Sequence, residues 1–114
     1  MGIRIVDSAS QPWLPHRTYV GVYARSIVDT DTSAELEVKV LRIAPGAQVP
    51  PHTHEHSAET KYVLSGEGAF LVGDEWVPCH RGYCAHARSG TAHGSKNTGD
   101  EDLYILAIFT PPLG

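Results

Sequence analysis

Apolar and polar residues alternate along most of the chain with the two-residue period of half-buried strands. Residues 18–28 (TYVGVYARSIV) are rich in β-branched and aromatic side chains, the composition of a strand. Residues 35–43 (ELEVKVLRI) alternate Leu36, Val38 and Val40 with charged partners, which predicts a strand with that apolar set on one face. A Pro45-Gly46 turn follows. Short apolar runs at 61–64 and 69–72 flank Ser65-Gly66-Glu67-Gly68, and Gly73-Asp74 turns into residues 75–77. Further strands are expected at 83–88 and 103–109, separated by a loop at Ser89-Gly90-Thr91 and a turn at 97–100. The only helical feature expected is a turn near residues 7–11. Many short strands with Gly-rich turns predict an all-β sandwich or barrel with little helix.

The length, 114 residues, fits a single domain spanning 1–114. An arm of about residues 1–16, containing Pro12 and Pro15, is expected to pack on the body or on a partner chain. Lys and Arg number 9 against 13 Asp and Glu, for a net charge of −4, and no basic run is present. That balance argues against nucleic-acid binding through phosphate neutralisation. The longest apolar run, LYILAIF, has seven residues, too few to span a bilayer, which takes about 20. The start MGIRIVDSASQPWLP lacks a signal-peptide core, and Val6 stands where a myristoylation motif has Ser or Thr. These features predict a cytoplasmic protein with no membrane partner. Cys79 and Cys84 form C-x4-C, not a zinc or redox C-x2-C, and are expected as two free thiols.

The chemistry concentrates in PPHTHEHSAE, from Pro50 to Glu59. On a strand, His52 and His54 point the same way and can face one point, and Glu59 can fold back as an oxygen donor. His93 is available as a fourth donor. His56 shares their parity and is either a ligand, an outer partner or a loop histidine. His16, His80 and His86 carry no spacing argument.

The spacings are more specific than the residue types. Gly46 to Gly66 reads G-x5-H-x-H-x4-E-x6-G, and Gly82 to Asn97 reads G-x5-R-x-G-x2-H-x3-N, with residues 67–81 between them. These stretches resemble the two motifs of small single-domain cupins over about residues 36–111, although Arg88 stands where the family usually has proline. The resemblance implies a double-stranded β-helix, a jelly-roll barrel of two antiparallel sheets. It implies His52, His54, Glu59 and His93 as ligands of one divalent metal ion per chain (Fe, Mn, Ni, Zn or Co). It also implies glycine at strand corners and an Asn97 that closes a turn. Three imidazoles and one carboxylate leave open positions for a substrate.

By alternation Lys61 faces the same way as Glu59, unless a bulge turns it to solvent, and it is expected to bind an anionic group. Cys84, His86 and Arg88 share one face of their strand, which is either pocket or surface. Catalytic candidates beyond the metal ligands are Lys61, Tyr62, His86 and Arg88. The family supports many chemistries. The functional expectation is a small metalloenzyme of dioxygenase, isomerase or lyase type acting on a small, oxygen-containing, acidic metabolite. The alternative is a non-catalytic small-molecule sensor. A homodimer is expected, with Ile3-Arg4-Ile5-Val6 adding a strand to the partner.

Overall fold

A computed structural model describes residues 2–113. After a 3-10 turn at Ser8–Ser10 come ten strands: β1 Leu14–Pro15, β2 Val22–Val28, β3 Glu37–Ile43, β4 Gln48–His52, β5 Ala58–Ser65, β6 Glu67–Val72, β7 Glu75–His80, β8 Cys84–Ala87, β9 His93–Asn97 and β10 Leu103–Thr110. They form a six-stranded sheet, β1-β2-β3-β10-β5-β8, and a four-stranded sheet, β4-β9-β6-β7. All pairings are antiparallel. Four of them nest: β6 with β7, β5 with β8, β4 with β9 and β3 with β10. This is the double-stranded β-helix that the family resemblance implies.

The inner faces of both sheets meet in one core. Val22, Ile43, Val63, Leu103 and Ile105 come from the larger sheet, Phe70 and Cys79 from the smaller. On β10, inward Leu103, Ile105, Ala107 and Phe109 are all buried. On β5, Glu59, Lys61 and Val63 are the buried set, paired with Phe109, Ala107 and Ile105. One barrel face therefore runs from an apolar core at Val63, through a lysine, to a carboxylate.

Several boundaries differ from the pattern reading. The second strand starts at Val22, not at residue 18, because Gly21 takes φ +82 in a preceding turn. On β3 the inward set is Glu37, Lys39, Leu41 and Ile43, opposite to the apolar alternation. Glu37 is buried, and Lys39 and Ile43 pair with inward Ala107 and Leu103. Val38 and Val40 lie on the outer face beside Ile108 and Leu106. Two proline residues, Pro50 and Pro51, lie within β4, which tolerates them as an edge strand with a register shift between Val49 and His52.

The arm packs on its own body at its second half. Leu14 and Pro15 pair with Ala24 and Tyr23 of β2. Trp13 lies under the Arg25 and Arg42 guanidinium groups, at 4.1 and 4.7 Å from its ring centre. Ile3 and Ile5 remain exposed and form no strand.

Gly46, Gly66, Gly82 and Gly90 all have positive φ, in line with the corner role implied for them. Asn97 closes the turn before β10. Its Nδ2 donates to the carbonyls of Ile43 and Glu101 at 2.8 and 2.7 Å, and its Oδ1 accepts from Gly99 N at 2.8 Å.

Candidate functional site

His52 ends β4, and His93 begins β9 directly opposite it in register. His54 lies two residues beyond the end of β4, in irregular chain rather than on a strand. Glu59, on β5, comes from the other sheet. One donor atom from each of the four lies within 4.8 Å of the others. His93 Nε2 is 2.8 Å from Glu59 Oε1, His54 Nε2 is 3.4 Å from the same oxygen, and His52 Nε2 is 3.2 Å from His54 Nε2.

Backbone carbonyls set the tautomers. His52 Nδ1 donates to Pro50 O at 2.7 Å and His93 Nδ1 to Thr91 O at 2.8 Å. A carbonyl can only accept, so both rings carry their proton on Nδ1 and, when neutral, present an Nε2 lone pair inward. Lone pairs and a carboxylate facing one another at these distances need a proton or a cation among them. Nitrogen and oxygen donors from imidazole and carboxylate, oriented from behind by carbonyls, fit a first-row divalent metal.

Burial pushes the His52 and His54 imidazoles below their usual 6.5, opposed by the Pro50 bond at His52 and by Glu59 at His54. Burial alone would raise Glu59. The His93 hydrogen bond and the charges of Lys61, His93 and His54 outweigh it and hold the carboxyl below its usual 4.5. All three groups therefore bind more protons in the unfolded chain over the interval between folded and unfolded values, so stability falls as pH falls. The urea midpoint of metal-stripped protein is expected to drop once pH goes below 6.5, with a further drop below 4.5. A midpoint constant across both ranges would remove the case for depressed values.

A cavity of about 200 Å³ opens onto the cluster, with His52, His54, Glu59, Lys61 and Ser95 on its polar side. Tyr19, Val22, Leu41, Val49 and Phe109 line much of the rest. The His54 ring meets Phe109 edge-on at 5.7 Å. Lys61 faces inward and is buried, and no bulge turns it to solvent.

The other sequence candidates lie elsewhere. Tyr62, His86 and Arg88 are exposed, as is Cys84, so the polar face of β8 is surface. His86 Nδ1 pairs with Thr60 Oγ1 at 2.8 Å on that outer face. His56 and His80 are exposed too. Cys79 is buried and both thiols are free; burial raises the Cys79 thiol. Pattern reading missed Lys39, Ser95, His16 and Tyr19 as cavity residues. Ser95 follows His93 by two on the same strand face, so alternation pointed to it. His16 and Tyr19 sit near the turn before β2, where no period exists to read. His16 Nδ1 accepts from Thr18 N and Tyr19 N at 3.0 and 3.2 Å.

The cupin domain family matches residues 39–109. An oxalate-binding protein from Thermotoga maritima is 38% identical over 68 residues, covering 60% of this chain and 56% of that protein. The chain spans about half the length of the curated relatives it matches. A solved structure of a predicted oxalate decarboxylase from Thermotoga maritima superposes with a TM-score of 0.84 at 27% identity, covering 95% of this chain and 99% of that one. A polyketide cyclase from Streptomyces resistomycificus superposes with a TM-score of 0.85 over 95% of this chain and 79% of its own, but at 19% identity it speaks for the fold alone. With the family match covering more than half of the chain, this chain belongs to the cupin family.

Proposed function

We propose that His52, His54, Glu59 and His93 hold one divalent metal ion, and that the protein is a small metalloenzyme acting on a small oxygen-bearing metabolite in the adjoining cavity. The observation that carries this reading is the pair of carbonyl-fixed tautomers, which turn the Nε2 atoms of His52 and His93 toward Glu59 and His54. A bound divalent ion supplies Lewis acidity, with Fe, Mn, Ni, Zn and Co all suited to this donor set. The chain's own residues bind and enclose. Lys61 and Ser95 offer a cation and a hydroxyl, and Tyr19, Val22, Leu41, Val49 and Phe109 keep water from the ligand's body. Relatives that bind or are predicted to decarboxylate oxalate support a small acidic ligand.

Dioxygenase, isomerase and lyase chemistry all remain compatible with this site. A second reading, a non-catalytic binding module, is favoured by one observation. Of the four residues singled out for catalysis, only Lys61 reaches the cavity, and Tyr62, His86 and Arg88 do not. Elemental mass spectrometry on protein purified without chelator or nickel resin tests the metal. Turnover of β-diketones, phenolics, keto acids and sugar acids, with and without Fe(II), tests the enzyme. About one metal per chain with turnover is expected. Metal with ligand-induced thermal shifts but no turnover selects the binding module. No uptake on reconstitution removes the metalloenzyme and leaves a barrel that binds by shape alone. A homodimer belongs to the same proposal, supported by exposed Ile3 and Ile5 and by the apolar outer face of Val38, Val40, Leu106 and Ile108.

A further inference from the structure

Lys61 is 3% exposed and is the only buried Lys or Arg among the described residues. Its Nζ donates to Ser95 Oγ at 2.7 Å and reaches the Gly94 carbonyl at 3.4 Å. Another side of the ammonium stands over the Phe70 ring, 5.0 Å from its centre. Among the described residues no carboxylate lies within ion-pair distance of it. Glu59, two residues away on the same face, is engaged by His93 and His54. Neutral partners recover only part of what it costs to take an ammonium out of water. A divalent ion on the cluster would use up the Glu59 charge and leave the cavity strongly positive. Lys39, the other lysine on the cavity wall, is already paired with Glu37 at 3.4 Å. The cavity floor is therefore short of one anion, while Tyr19, Val22, Leu41 and Val49 offer an apolar wall.

We propose that Lys61, positioned by Ser95, anchors the carboxylate of the ligand, and that the ligand is a small α-keto or α-hydroxy carboxylate with a compact apolar substituent. Its carboxylate lies at Lys61 Nζ, its α-oxygen faces the four-residue cluster, and its substituent covers the apolar wall. The α-oxygen assignment rests on the metal reading above; the carboxylate anchor does not.

Calorimetric binding of α-ketoisovalerate, of its uncharged amide and of oxalate tests this. The proteins are wild type, Lys61→Met and Ser95→Ala, each metal-stripped and Mn(II)-loaded. Metal content is measured alongside. A hydrogen bond to a charged group accounts for roughly a tenfold to hundredfold change in affinity. Lys61→Met is expected to bind α-ketoisovalerate weaker by that factor, with unchanged metal content. Its melting temperature should rise, because an unpaired buried charge has been removed. On wild type the amide should lose the same factor, and on Lys61→Met it should lose nothing more. Ser95→Ala should fall between the two. Oxalate, with no apolar part, should bind wild type more weakly than α-ketoisovalerate. Equal affinity of acid and amide for wild type overturns the anchor, as does equal affinity of wild type and Lys61→Met, or no binding of the acid by either form. If Lys61→Met does not fold, the acid and amide on wild type decide alone. If wild type takes up no metal, the metal reading fails and the metal-stripped comparison still decides on Lys61.

Discussion

Replacing His93 by alanine is expected to leave a folded protein that no longer holds a metal. His93 faces His52 across the β4–β9 pairing and brings its Nε2 to 2.8 Å from Glu59. Residues that merely hydrogen-bond a metal ligand typically contribute about 10- to 100-fold in affinity. Loss of one of four donors should therefore weaken binding by at least about a hundredfold. The stability cost in metal-free protein should be modest, on the order of 1–3 kcal/mol, because the Thr91 carbonyl loses its donor and a buried ring is removed. Two measurements separate these effects. Elemental analysis should find metal in wild type and next to none in the variant. Added metal should raise the melting temperature of wild type and leave the variant unmoved. A variant that keeps its metal would place the ion elsewhere.

The second large effect is structural. Gly66→Ala is expected to destabilise the protein by about 3 kcal/mol or more, a large share of the roughly 5–15 kcal/mol that holds a domain together. Two causes add. Gly66 has φ +93, where a side chain costs about 1–2 kcal/mol. An added Cβ would also stand 2.7 Å from the Asp102 carbonyl oxygen and 2.9 Å from Leu103 Cα, both backbone atoms that cannot swing aside. Gly46→Ala separates the causes, since it has φ +78 but nothing within 4 Å of the new Cβ. It should lose only the conformational part, about 1 kcal/mol. Urea unfolding of both variants gives the comparison. Equal losses would mean that the contact with the chain before β10 does not matter.

Spacing carried most of the site. Gly46, His52, His54, Glu59 and Gly66 stand in one register, and Gly82, Gly90, His93 and Asn97 in another, and the fold brings the four donors together. Alternation carried less. On β3 it pointed to Val38 and Val40, yet Glu37, Lys39, Leu41 and Ile43 face inward. A cavity lined partly by polar side chains reverses the usual rule on one strand, while the outer face keeps half-buried valines. The same reversal puts Lys61 inside and Tyr62 outside on β5. Alternation correctly grouped Cys84, His86 and Arg88, but β8 is an edge strand and its polar face is surface. His54 reached the cluster without being on a strand at all, so parity gave the right residue for an incomplete reason. The cavity residues near the turn before β2, His16 and Tyr19, had no periodic signal because turns have none.

The nesting of the strands also orders the way this chain can fold. Closing a loop costs more entropy as it encloses more chain, and distant pairings slow folding. The β6–β7 hairpin needs only the Gly73-Asp74 turn, and each wider rung encloses all those within it. Glu59 belongs to the second rung, while His52 and His93 belong to the third. The donors thus meet only when three of the four rungs are closed. A cation arriving earlier finds scattered imidazoles, and one arriving later finds a finished pocket. If the cluster holds a metal as proposed, its binding energy goes to the closed barrel rather than to any partial one, and metal supply becomes a lever on how long the barrel stays shut.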